Sequence, residues 1–581
     1  MARPVTGKII VDKIWTQMND EWFYCYERRR VWKDGKEVFL GKTLLGKSRT
    51  RGGELEPTHG KRPSKKKVNT NNVVSDESAI TATRKHTGMM DIISHIGKES
   101  KIDDDIFSIT DRSTAEKILS IAQYIVANNG ETLPGINEWM FTHPVPYHYP
   151  ITEDVYRKLF DDIGRDETLR QEYFRCRFDK EDSNVALLIA YDSSTETSVS
   201  SNPEARIGMN KDDKGKSAIK VLVLYSLRTR QPLAFAKQPA NVPDVISIKN
   251  ALEQFKALGM KKVITVTDGG FSSEDNLALI LHSNNHTLTR VKISWNWVKD
   301  ELEKNASDIM SVSNIMPCDL NVKGITVPLV KRTFRYQRTY GSKKKGLAAG
   351  DYDTFSKTIY LHLYYDSERK EDEDREFFSE IMELESQLRE GIELTEQARK
   401  KAEKYLIVKE TPEGIVITRN EKAMNEECRN NGIFALVSDY FKTANEALEK
   451  YRKREWIESF YGKFKQLADG GTARTGRPDN LMGRLLVQFV AMGYIEYFYS
   501  KIRELKDILG KPNGNPKHDA KKNLDAEKAL KSWMNKRSLH RILTWFDAHE
   551  TTEVSSDITS RRWNTEAIAR DHLFLHFLGM E

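Results

Sequence analysis

Three acids stand out by where they fall in the chain. Asp192 closes the apolar run LLIAY, Asp268 closes VITVT, and Glu458 sits in the charged segment EKYRKREWIESFYGKFKQ. Acids at the carboxyl ends of buried strands occupy the place where an open α/β sheet gathers its sites. Carboxylates drawn from separate elements suit hard, oxygen-loving cations such as Mg²⁺. A pair of them could equally serve as the acid and base of a glycosidase. Each acid alone also has a plainer use, since a strand-terminal Asp caps helices and forms turns. Gly269 and Gly270 directly after Asp268 are read as letting the backbone bend sharply there.

The surroundings of Glu458 are more specific. Tyr451, Arg454, Glu458 and Lys465 follow one another at spacings of three, four and seven. On a continuous helix they project at about 0°, −60°, −20° and −40°, a single stripe. An acid between Arg and Lys on one face can ligate a metal while the cations hold phosphates. The same stripe also describes an exposed face laced with i,i+4 ion pairs. Glu455 lies close enough to be a rival third acid, and Tyr451, Trp456 and Phe460 also fit a plain core or interface.

The spacing resembles the Y-x2-R-x3-E-x6-K signature of DDE transposases from bacterial insertion sequences, in the group with an inserted β-rich domain. Asp192 in YDSST looks like that family's first acid, and Asp268 in TDGGFSSEDN like its second. ANVPD (Ala240 to Asp244) resembles the GNxxD segment between them, with Ala in place of Gly. Arg474 to Val490 resembles the basic-then-apolar helix after the third acid, which brings Arg474 and Arg477 in as DNA contacts beside Tyr451, Arg454 and Lys465. The resemblance spans roughly residues 20–510 and is sharpest at the three acidic blocks.

It implies a ribonuclease H-like catalytic core interrupted by an insertion. It also implies strand cleavage and strand transfer with Asp192, Asp268 and Glu458 holding Mg²⁺ (Mn²⁺ as substitute), in two ions roughly 3.5–4 Å apart. Double-stranded DNA, both element ends and target, is the implied partner, with a homodimer pairing two ends. Trp295 and Trp297 stand where some relatives stack an aromatic on a flipped base, although a core or interface role suits them as well. A nuclease that cuts without joining, or a domesticated DNA-binding protein, would share these motifs. A glycosidase would leave the flanking Arg and Lys unexplained.

The elements that must position these residues can be read from periodicity. NVALLIAYD, SAIKVLVLYS, QPLAFAKQP, KKVITVTD, HTLTRVK and GIFALVSD are strands; VISIKNALEQFKALGM and Glu274 to His282 are helices. Such alternation predicts an α/β layer. The expected organisation is a basic β-hairpin region and arm (1–74), a helical DNA-binding region (75–180), the core in two parts (181–294 and 432–510) around an insertion (295–431), and a helical C-terminal region (511–581). Lys33-Asp34-Gly35-Lys36 marks the hairpin turn.

Charge distribution agrees with a polyanion partner. Residues 1–67 carry 17 Lys and Arg against 8 Asp and Glu, whereas the whole chain of 581 residues has a net charge of only +7. A basic head on a nearly neutral body fits DNA, and a solvated basic face is the plainer account. Cys25, Cys176, Cys318 and Cys428 form no C-x-x-C pair, so neither a zinc site nor a disulfide framework is expected. The N-terminus has no apolar signal core. The most apolar stretch, Leu485 to Ile495, is interrupted by Gln488 and too short to span a bilayer. A soluble, cytosolic protein at the bacterial nucleoid is expected.

Overall fold

The computed structural model describes residues 9–19, 22–33, 36–56, 81–182, 185–208, 215–259, 262–283, 285–338, 346, 348–411, 414–515, 517–555 and 560–580. The chain divides into two compact units, Met1–Ala79 and Ile80–Glu581. In the first, β1 (Ile9–Asn19), β2 (Trp22–Lys33) and β3 (Lys36–Ser48) form an antiparallel sheet in chain order. The expected hairpin is β2–β3, and its Asp34-Gly35 turn lies outside the described residues, as does 57–80 of the basic arm. The additional strand β1 pairs with β2 along its length, and Arg28 and Arg30 of β2 both reach its Asp12, at 2.7 and 2.8 Å. Asp12 interrupts the apolar positions Ile10 and Ile14 on one face, so alternation alone does not reveal the strand.

The second unit opens with a strand, β4 (Thr81–His86), where helical periodicity was expected from about Ser75. β-Branched Thr81 and Thr83 suit it to the sheet pairing it makes with a C-terminal strand. Helices follow: α1 (Gly88–Glu99), α2 (Ile102–Ile109), α3 (Arg112–Asn128), α4 (Ile136–Thr142), α5 (Glu153–Arg165) and α6 (Glu167–Asp179). Capping fits the sequence, with Asp111 and Asp166 accepting N–H bonds at the starts of α3 and α6.

The sheet is built from β5 (Leu187–Ser198), β6 (Arg206–Ile207), β7 (Ser217–Ser226), β8 (Pro232–Pro239), β9 (Val263–Thr267) and β10 (His286–Val291), with α7 (Asp244–Ala257) and α8 (Glu274–His282) between them. β5, β7 and β8 run antiparallel, whereas β9 and β10 continue parallel to β5. After α9 (Asn296–Lys304) and α10 (Ala306–Met310) come β11 (Ile315–Met316), β12 (Asp319–Gln337) and β13 (Tyr352–Asp366). Next are α11 (Ser367–Arg389), α12 (Glu396–Tyr405), the hairpin β14 (Leu406–Thr411) and β15 (Gly414–Arg419), α13 (Glu421–Cys428) and β16 (Ile433–Ser438). β16 sits between β10 and β13, so β11–β13 extend the main sheet. By contrast α11, α12 and α13 close a small core of their own around Ile381, Leu384, Tyr405 and Met424.

The chain then runs through α14 (Ala444–Arg452), α15 (Glu455–Leu467), β17 (Thr472–Ala473) and α16 (Pro478–Ile508). Leu485 to Ile495 is buried in the middle of α16, and no helix among the described residues is long and apolar enough to cross a membrane. α16 packs tightly on α5. A Cβ on Gly164 would collide with the Asp479 carbonyl, and one on Gly483 with that of Phe160. The tail, α17 (Lys521–Asn535), α18 (Leu539–Asp547), β18 (Glu550–Ser555), β19 (Ser560–Asn564) and α19 (Ala569–Phe577), is not purely helical. β18 stands between β19 and β4 in a three-stranded sheet that joins the two ends of this unit. All four cysteines are free, but only Cys25 is buried and Cys318 is exposed.

Candidate active site

Asp192 does not end its strand, as the apolar run suggested. It lies mid-way along β5, opposite Val223 of β7, because the polar residues SSTETS continue the ladder. Asp268 follows the last residue of β9. The register pairs Tyr191 with Thr267, so Asp192 and Asp268 stand one step beyond on neighbouring parallel strands. Neither Gly269 nor Gly270 needs a left-handed backbone, and a Cβ on Gly270 would meet nothing within 4 Å. The chain does bend there as expected, in a 3-10 turn over Gly269–Phe271, without drawing on glycine's left-handed freedom. The glycines leave the surface beside Asp268 bare.

The helix carrying the third acid is also not continuous. Lys453 and Arg454 form a turn between α14 and α15, with Tyr451 on the first helix and Glu458 and Lys465 on the second. The break still brings the motif inward. Tyr451 Oη donates to Asp268 Oδ1 at 3.3 Å, Arg454 Nη1 to Asp192 Oδ2 at 3.2 Å, and Arg454 Nη2 to Glu458. Five residues from four elements thus meet in one cluster. Glu455 is exposed in the first turn of α15 and is not the acid that Arg454 joins.

Two buried contacts hold α15 in place. Tyr461 Oη donates to the carbonyl of Asp192 at 2.7 Å and lies 3.1 Å from that of Val221, pinning the helix to β5 and β7. Lys463 pairs with the buried Glu496 of α16, which also accepts from Tyr225 at 2.8 Å. Glu458, one turn before Tyr461, is thereby set beside Asp192 while keeping half of its side chain, 51%, in solvent.

The electrostatics describe an acidic site short of positive charge. Burial pushes the Asp192 carboxyl up to about 6 against the pull of Arg454, and neighbouring Asp268 and Glu458 push the same way. Burial alone would lower the Arg454 guanidinium, but Tyr451 and the three acids hold it above its ordinary value. Burial, then Asp268, raises the Tyr451 phenol. Three neighbouring carboxylates, two of them bridged by the Arg454 guanidinium, are a donor set that fits divalent cations.

Further residues escaped the sequence reading. Arg290 of β10 is half-buried near Asp268 and Tyr451, and burial and then Arg369 lower its guanidinium. With Asp268, Lys292, Arg369 and Glu373 it lines a cleft of about 740 Å³. The signal was an Arg near the end of HTLTRV, a strand buried at most of its other positions. Asp244, in the ANVPD segment, accepts from Ser193 Oγ at 3.1 Å and from the nearly buried Lys220 at 2.8 Å, bracing the strand next to Asp192.

Other expected residues lie elsewhere. Lys465 acts on Glu196, which is buried four residues along β5 from Asp192. Burial lifts that carboxyl to about 8, while Arg484 and Lys465 pull against the rise. Arg474 binds Asp469 at 3.1 Å and Arg477 binds Asp161 at 2.6 Å. Both line a second cleft of about 570 Å³ with Arg157, Tyr156 and Arg484. Trp297 donates to Glu274 at 2.9 Å under the Arg332 guanidinium, and Trp295 packs 5.8 Å from it.

With this geometry in view, the family model for the transposase DDE domain matches residues 185–492. The chain belongs to that family. Its members are enzymes acting on DNA and generally use divalent metal, and the matched span contains Asp192, Asp268 and Glu458. Among curated proteins none matches the chain. A cryo-EM structure of a piggyBac transposase synaptic complex with hairpin DNA is similar at 10% identity and a TM-score of 0.33, over 80% of this chain and 83% of that one.

Proposed function

We propose that this DDE-family transposase cuts DNA strands and transfers them, with Asp192, Asp268 and Glu458 as its catalytic carboxylates. The observation that carries the reading is the cluster itself. Arg454 bridges Asp192 and Glu458 while Tyr451 reaches Asp268. The finer assignment is to the bacterial insertion-sequence group with the Y-x2-R-x3-E-x6-K signature. A ribonuclease H-like core, 181–294 and 432–510 around an inserted 295–431, is supported by three antiparallel strands continued by two parallel ones. The flanking parts would be 1–74, 75–180 and 511–581.

Asp192, Asp268 and Glu458 would hold two Mg²⁺ ions, or Mn²⁺ in their place. Bound there, such ions supply charge stabilisation to the attacking and leaving oxygens of an in-line displacement. The chain's own groups do the rest. Tyr461 fixes the main chain at Asp192, and the Asp244–Lys220–Ser193 contacts keep that strand rigid. Arg454 keeps Asp192 and Glu458 facing one another and lies ready to pair with a phosphate. The bare surface at Gly269 and Gly270 lets a DNA backbone approach Asp268.

Lys465, Arg474 and Arg477, with the basic residues of 1–67, would bind double-stranded DNA at element ends and target, in a homodimer pairing two ends. Such affinity should fall steeply with salt. A strand-transfer assay on a target plasmid tests the function. Joined product lost with Asp268→Ala, with DNA binding retained, supports the reading. Cleavage without joining by the unaltered chain favours a nuclease, and cleavage surviving Asp268→Ala overturns the site.

A further inference from the structure

Outside the family-matched residues, three elements meet end to end: β4 at His86, the C-terminus of α4 at His143, and α18 at Asp547. We propose that His86, His143 and Asp547 bind a Zn²⁺ ion that clasps the start of the second unit to its C-terminal part. Each offers one ligand atom, and these atoms all lie within 4.8 Å of one another. His143 is almost wholly buried, with 8% of its side chain exposed. No cysteine is involved, which is why a search for C-x-x-C pairs does not find the site.

The convergence of these three groups carries the inference, and hydrogen bonds orient both rings. His143 Nδ1 lies 2.8 Å from the carbonyl of Trp139, and His86 Nδ1 lies 2.8 Å from that of Asp547. A carbonyl only accepts, so a neutral imidazole that meets this contact carries its N–H on Nδ1 and keeps an Nε2 lone pair; Thr142 Oγ1, 2.9 Å from His143 Nδ1, shares the contact on that ring. Opposite those lone pairs stand carboxylates. Asp547 Oδ1 is 3.0 Å from His143 Nε2, and Glu550 Oε1 is 3.6 Å from His86 Nε2. Either a proton or a metal ion can stand between such a nitrogen and a carboxylate, and two imidazoles converging with a carboxylate offer a metal ion three ligand atoms at once. A ring N–H given to a backbone carbonyl, with the other nitrogen bare, is also how metal-binding histidines are held.

Two imidazoles and a carboxylate form a borderline donor set that suits Zn²⁺ better than Mg²⁺. The rings are already confined. Trp139 stacks on His143 at 4.3 Å, and His143 on His86 at 5.0 Å. Ligation needs His86 to turn so that its bare nitrogen reaches the same ion as that of His143. Water fills the fourth position, or Glu550 does after leaving Arg84, its present partner. The clasp would reinforce the adjoining main-chain contacts, in which Thr87 and Gly88 N–H donate to the His549 carbonyl at 3.0 Å.

The test uses the full chain, stripped of metal and given ZnCl₂ or CoCl₂. We expect one Zn²⁺ per chain, visible Co²⁺ d–d absorption typical of four-coordinate sites, and a rise in unfolding midpoint of roughly 2–5 °C at saturating Zn²⁺. The bound ion should persist in Asp268→Asn and be lost in His143→Gln. Asp547→Asn keeps the size of the side chain and removes its charge, so it decides the matter if His143→Gln does not fold. If neither variant folds, the Co²⁺ spectrum of the unaltered chain decides. Equal Zn²⁺ content in the unaltered chain and His143→Gln, a featureless Co²⁺ spectrum, or loss of the ion in Asp268→Asn overturns the site. A shared proton would then bridge His143 and Asp547.

Discussion

Two places in the second unit gather groups able to ligate a cation, and they differ in what already stands there. In the acid cluster the protein supplies its own cation, since the Arg454 guanidinium touches Asp192 and Glu458. In the histidine cluster Asp547 faces the two imidazoles themselves. The first has carboxylates only and leaves Glu458 half in solvent, as suits exchangeable hard ions and an incoming phosphate. The second is nitrogen-rich, with His143 almost wholly buried and His86 and Asp547 about 30% exposed, as suits a resident ion. A reactive site is thus kept charged, open and provisional, and a structural one closed.

Replacing Asp268 by Ala should separate the two most sharply. We expect strand cleavage to fall by at least about 10³-fold, with DNA binding and Zn²⁺ content unchanged. A gel-based cleavage assay run beside metal analysis reads both. Loss of Zn²⁺ along with cleavage would merge the two sites and break the comparison.

Arg454→Ala comes next. It removes the internal cation and leaves two neighbouring carboxylates unscreened, so cleavage should drop by roughly 10²-fold. Mn²⁺ binding at the acids should survive. Arg454→Lys keeps the charge but loses the fork that reaches both acids, so it should restore only part of the rate. Full activity in Arg454→Ala would show that the guanidinium merely fills an empty site.

The acidity of Asp192 gives a smaller, graded effect. Its folded carboxyl keeps a proton up to about pH 6, whereas an unfolded one loses it near 3.9. Ionisation between those values therefore costs the metal-free protein stability as pH rises, and the cost is complete above pH 6. A bound divalent ion offsets it. Mn²⁺ affinity measured by calorimetry should climb by up to about tenfold per pH unit below 6 and level off above. A flat profile from pH 5 to 7 would remove Asp192 from the ligand set.

Much of this was legible in the sequence, for identifiable reasons. The strands at 187, 217, 232, 263 and 433 open on apolar runs, the strand at 286 is rich in β-branched Thr and Val, and α8 spans Glu274–His282 as its sequence predicts. Asp192, Asp268, Glu458, Tyr451 and Arg454 were found by local spacing and do converge. What spacing could not give were contacts set by distant chain. β4 is a strand because β18 lies beside it, and Arg290 faces the site because β10 pairs between β9 and β16. The turn at Lys453–Arg454 was invisible to a pattern that fits an unbroken helix. His86, His143 and Asp547 share no local motif at all.

The smallest expected effect concerns the two tyrosines beside the acids. Tyr451→Phe removes one 3.3 Å hydrogen bond to Asp268, an acid that keeps other means of satisfaction once metal is bound. The loss should be about 0.5–1.5 kcal/mol, less than roughly tenfold in rate, with stability little changed. Tyr461→Phe removes a hydroxyl shared by two buried carbonyls, those of Asp192 and Val221. Leaving such acceptors unmet costs about 1–3 kcal/mol, so this variant should lower the unfolding midpoint, and its cleavage rate should fall because Glu458 drifts from Asp192. Denaturant unfolding and single-turnover cleavage on both variants test the division. If Tyr451→Phe destabilises the fold while Tyr461→Phe leaves it intact, then α14 rather than α15 holds the acid cluster together.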